Sequence, residues 1–67
     1  MRKYDFVKII EVEDEVMEQF LGTEGMIIDI DTSYEYPIEV CLFDKELQER
    51  IVDEGNLMFK ESELEII

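Results

Sequence analysis

The sequence predicts a mainly-β domain in which five short strands close into a small barrel, interrupted by one or two short helical inserts at about 13–21 and 45–54. Three observations predict it. Apolar and polar residues alternate in Val7-Lys8-Ile9, and one apolar set, Ile38, Val40 and Leu42, shares a face of a later run; this period of two marks a half-buried strand. Glycine-rich or polar turn segments separate such runs. The chain has 67 residues, one domain spanning 1–67, and strands this short must cover their own edges.

Taken in order, 4–12 reads as the first strand, with Val7 and Ile9 on one face and Ile10 and Val12 on the other. From Glu13 to Leu21 the period changes. Val16, Met17, Phe20 and Leu21 recur at helical spacing among Glu13, Asp14, Glu15 and Glu18, too short a stretch for a helix stable by itself. Gly22 and Gly25 bracket Thr23-Glu24 and predict a tight turn using positive φ, followed by a strand over Met26–Ile30. Asp31-Thr32-Ser33 closes that strand. Residues 36–43 form the third, with Pro37 at its start, where a missing amide hydrogen costs little.

Asp44 is placed to cap a helical insert whose Leu47 and Ile51 lie four apart, whose Glu46 and Arg50 suit an i,i+4 pair, and whose stop is Gly55. Leu57-Met58-Phe59 returns to strand character, Lys60 to Glu63 is a polar turn, and Leu64 to Ile67 is the last strand.

One cysteine and no histidine exclude an internal disulfide and the usual zinc staple, so the fold rests on packing. Cys41 reads as a buried or half-buried strand thiol in a reducing, cytoplasmic protein, with no base to activate it. Tyr4, Asp5 and Phe6 follow Met1-Arg2-Lys3 in place of an unbroken apolar run, so no export signal is expected, and no segment is long and apolar enough to span a bilayer.

Nineteen acids face six bases, a net charge of −13, and no base falls between Ile9 and Asp44. Such a field repels phosphate backbones and anionic lipid and attracts basic partners. No direct nucleic-acid or membrane binding is expected.

Catalytic chemistry finds no constellation. The commonest general base is missing, and Ser33 and Ser62 lie in polar turns without a partner base. A domain of this size leaves no room for a substrate cleft between paired carboxylates. Asp29-x-Asp31-x-Ser33-x-Glu35 has the beginning of a calcium loop, but Tyr34 stands at the glycine position and Val40 at that of the bidentate glutamate. No catalytic residue, metal or cofactor is expected. The candidate partner-binding residues are Glu13, Asp14, Glu15 and Glu18 in the first acidic run, and Tyr34, Glu35 and Tyr36 ahead of the third strand, since aromatics at a rim anchor interfaces.

Three motifs fall in order along nearly the whole chain: Val7-Lys8-Ile9, Gly22-Thr23-Glu24-Gly25-Met26-Ile27, and Phe59-Lys60-Glu61-Ser62-Glu63-Leu64. Together they resemble SH3-like barrels, especially small uncharacterised ones of phages and prophages. The glycine turn and the ending are also similar to the variable subunit of ferredoxin–thioredoxin reductase, and the glycine turn alone to KOW modules. The resemblance implies a single 3₁₀ turn over Glu61 to Glu63. KOW modules that bind RNA are basic around the motif, and this stretch is acidic.

The leading expectation is a non-enzymatic interaction module, its oligomeric state left open with a lean to the monomer, that binds and modulates a host or viral protein, with a basic, nucleic-acid-binding partner and DNA mimicry as one form. A second is an accessory subunit docked by an apolar patch of Ile10, Phe43 and Met58. A KOW-type nucleic-acid module is a third.

Overall fold

Alternation sets the first strand as expected: Val7 and Ile9 are fully buried, and Phe6 and Lys8 turn the other way. The computed structural model describes residues 1–50 and 57–67. Within them lie β1 (Phe6–Ile9), β2 (Glu24–Ile30), β3 (Ile38–Leu42), β4 (Met58–Phe59) and β5 (Leu64–Ile66). They form one antiparallel sheet in the order β4-β3-β2-β1-β5.

The mainly-β expectation holds, and among the described residues the sheet does not close into a barrel. The edges are β4 and β5, and no ladder joins them among the described residues. At two and three residues, these edges expose few unpaired backbone groups, so shortness protects them where closure was expected to.

The first insert is a 3₁₀ helix over Glu15–Phe20, capped by Asp14, whose carboxylate accepts the Val16 N–H at 2.9 Å. Phe20 at its end is fully buried and ties the helix to the sheet. The second begins as α1 (Lys45–Glu49), where Asp44 accepts the N–H groups of Glu46 and Leu47. The remainder of that expected insert, 51–54, and its stop Gly55 lie outside the described residues. The expected Glu46–Arg50 pair is not among the ion pairs of the described residues.

A 3₁₀ turn does occupy Glu61–Glu63. Glu63 is 4% exposed, and its carboxylate accepts the Lys60 N–H at 2.8 Å. Lysine has no acceptor to return the bond, so this is the glutamate half of a capping box.

The two glycines divide the work expected of both. Gly22 has φ +82°, the left-handed value a turn requires. Gly25 is buried inside β2 opposite Leu42, and a Cβ there would meet the Cys41 carbonyl oxygen at 2.5 Å. It permits close approach of β2 and β3 rather than a turn. Tyr4 also has positive φ, 75°, and its N–H donates to the Ile27 carbonyl.

The core joins Val7, Ile9 and Ile27 to Ile38, Val40 and Leu42 of β3, with Phe20, Leu57, Phe59 and Leu64 closing over them. Cys41 corrects the expectation of a buried thiol: it is exposed, because β3 alternates and Cys41 falls between the buried Val40 and Leu42. No helix of the described residues is long and apolar enough to cross a membrane.

Candidate interaction site

A β-bulge positions the site. Ile27 pairs with Val40, but the next pair is Asp29 with Glu39, so Ile28 has no partner on β3. In a regular ladder Ile28 would oppose Glu39, and Asp29 would oppose the buried Ile38. The extra residue instead sets Asp29 beside Glu39 on the outer face, and Glu39 pairs onward with Met58 of β4. Two carboxylates directly across a ladder repel one another.

The loop from β2 to β3 completes a groove of about 530 Å³, adding Asp31, Tyr34, Glu35 and Tyr36 to that row. Asp31 is locked in an Asx turn: it accepts the Ser33 hydroxyl at 2.6 Å and the Ser33 N–H at 3.0 Å, which hold its carboxyl below the usual range. Asp29 accepts the Ile30 N–H at 3.0 Å, and Lys3 approaches it to 3.9 Å. The groove's lining holds four carboxylates and two phenols and, among the described residues, no cation.

Next to the groove the acids are tied. The Tyr36 hydroxyl donates to Glu13 at 2.6 Å, and the Lys60 ammonium lies 3.0 Å from the same carboxylate and 5.0 Å from the centre of the Tyr36 ring. The phenol, then the ammonium, lower the Glu13 carboxyl. In return the carboxylate raises both Tyr36 and Lys60.

Of the expected site residues, Glu13 and Tyr36 are thus brought together, and Tyr34, Glu35 and Tyr36 share the groove. Asp14 serves as a helix cap. Glu15 and Glu18 stand exposed on the 3₁₀ helix and do not line the groove. Asp29, Asp31 and Glu39 are absent from the expected partner-binding residues; their signal is the pattern Ile27-Ile28-Asp29-Ile30, which breaks alternation where the bulge falls.

The suspected apolar patch divides. Phe43 packs edge-on against Phe6, ring centres 5.4 Å apart, whereas Met58 lines the groove and Ile10 binds the Glu63 carbonyl through its N–H. Among the described residues no group of three or more potential ligands is placed to hold a metal.

Comparison with known proteins finds no relation: no family model matches the chain, and neither a curated protein nor a solved structure is similar to it.

Proposed function

We propose that this protein is a small acidic interaction module of the SH3-like kind whose groove binds a basic segment of a protein partner. The strand order and the 3₁₀ turn before the last strand support the fold reading. One observation carries the function: the bulge that sets Asp29 against Glu39 in the lining of a groove that, among the described residues, has no lining cation. A like-charge pair across a ladder costs stability, and lysine or arginine side chains from a partner relieve it. A partner that otherwise holds nucleic-acid phosphates presents that chemistry, so the module acts as a competitor for its basic site, and a host or viral protein is the target that the phage likeness implies.

The test compares the protein with a variant carrying Asp29→Asn, Asp31→Asn, Glu35→Gln and Glu39→Gln, both titrated with a lysine–alanine peptide across a salt series. The unaltered protein binds with a steep salt dependence, and the variant loses at least tenfold in affinity, the equivalent of about 1.4 kcal/mol. Equal binding by the two overturns the proposal.

A further inference from the structure

The core lies on one face of the sheet, and the register shows what the other face carries. Phe6 pairs with Met26, and Met26 with Cys41, while the Ile67 N–H donates to the Phe6 carbonyl at 3.0 Å. Side chains directly opposite share a face, so these four residues make one apolar row from the end of β5 across β1 and β2 to β3. Phe6, Cys41 and Ile67 are exposed, and Met26 is half-buried. In the next row Lys8 pairs with both Glu24 and Glu65. Phe43 ends that row: its N–H donates to the Glu24 carbonyl, and its ring stands edge-on to Phe6. On the other side of the apolar row, at Asp29 and Glu39, the groove begins.

The chain carries a charge of −13, yet the charges of these two rows are one base and two acids. Two copies meeting here bring few like charges together. The area is also sufficient. Phe6 and Phe43 are 52% and 53% exposed, and a whole aromatic side chain covers about 200 Å². With Ile67, Met26 and Cys41 the face offers on the order of 400 Å² of apolar surface, close to the apolar share of one side of a standard interface of about 800 Å².

We propose that this face binds a second copy of the chain, sheet against sheet, about a two-fold axis running along the strands between β1 and β2. That rotation sets β1 of each copy over β2 of the other. Phe6 then meets Met26 of the second copy, and Lys8 meets its Glu24, each contact occurring twice, as a two-fold interface requires. A two-fold across the strands would instead turn Glu24 toward the second copy's Asp29, where like charges oppose it. This inference goes beyond the groove reading and does not depend on it.

The experiment is sedimentation equilibrium of the whole chain over a concentration series at about 10 mM and about 1 M salt, where the screening length is about 30 Å and about 3 Å. A monomer–dimer equilibrium is expected, at least tenfold tighter at high salt, because burial of apolar surface drives it and the repulsion between two chains of −13 opposes it. Binding of the lysine–alanine peptide to the groove has the opposite salt dependence. Cys41 reports which face is covered: its thiol lies in the apolar row, so its reaction with an aromatic disulfide reagent slows as protein concentration rises through the dimer range. Phe6→Glu, which alters an exposed side chain and spares the core, yields a monomer whose Cys41 reacts at one rate throughout, with the circular dichroism of the parent.

A monomer at every concentration and both salts overturns the proposal and leaves the groove reading standing. A dimer in which Cys41 reacts equally fast at all concentrations, or one that persists in Phe6→Glu, uses another surface and overturns it too. The Cys41 rates of the unaltered protein decide the matter even where the variant fails to fold.

Discussion

On one side of Tyr36, Glu13 is held by a phenol and an ammonium; on the other, Asp29, Asp31, Glu35 and Glu39 line a groove that Lys3 approaches only at Asp29. Both sets belong to the same acidic composition. The difference shows which acids the fold uses. Glu13 links the segment before the 3₁₀ helix to the β2–β3 loop and to the residue after β4, spanning 23 and 47 positions of sequence. Among the described residues the side-chain hydrogen bonds of the groove carboxylates are local, Asp29 to Ile30 and Asp31 to Ser33. In the proposed function their mutual repulsion is what a basic partner neutralises.

The largest expected effect removes the frame that both sides share. Gly25→Ala drives a Cβ into the Cys41 carbonyl and costs about 3 kcal/mol, most of the stability of a domain this small. Urea denaturation followed by circular dichroism measures it, and an alanine tolerated without loss would mean that β2 and β3 do not approach so closely.

Glu13→Gln tests the tied side. Because the carboxylate lowers itself and raises Tyr36 and Lys60, its contribution has two limits. It is present above the ordinary carboxylate value of 4.5 and is lost as pH falls through the lowered one. It is also present below the ordinary values of 10.0 for Tyr36 and 10.5 for Lys60, and is lost as pH rises through the raised ones. Thermal melts should therefore separate the variant from the parent at neutral pH and converge at both extremes. In an ultraviolet titration, one of three tyrosines should ionise earlier in the variant. Unchanged tyrosine titration would show that the Tyr36–Glu13 bond does not form.

The smallest effect has the opposite sign. Glu39→Gln relieves the pair with Asp29 and raises stability by about 0.5 kcal/mol at low salt, with the gain shrinking as salt is added. The same change weakens binding of the lysine–alanine peptide. A variant that is destabilised would place Glu39 among the acids the fold uses and erase the contrast.

Much of the frame was legible in the sequence. Period-two alternation marks Val7 and Ile9 and the face shared by Ile38, Val40 and Leu42, and Asp44 caps a helix as its residue type suggests. These signals are local, and local physics decides them. Gly25 was misread as a turn residue because its role depends on the distance to Cys41 across the ladder. Cys41 was misread because an apolar run suggests burial, although alternation through Glu39 and Phe43 already pointed it outward.

The site divides in the same way. Tyr34, Glu35 and Tyr36 are adjacent in sequence and were found together. The partnership of Glu13 with Tyr36 and Lys60 depends on how three distant segments meet. Lys60 reads in the sequence only as part of a polar turn.

Ile28 has no partner on β3, so a deletion of that one codon would leave Ile27, Asp29 and Ile30 paired with the residues they already face. The ladder would lose its kink while every core side chain of the two strands kept its place. Across generations the width and curvature of the acidic groove can therefore be altered in a single genetic step that the interior does not register. Variation at this end of the molecule can reshape the groove while the buried residues of both strands stay paired as before.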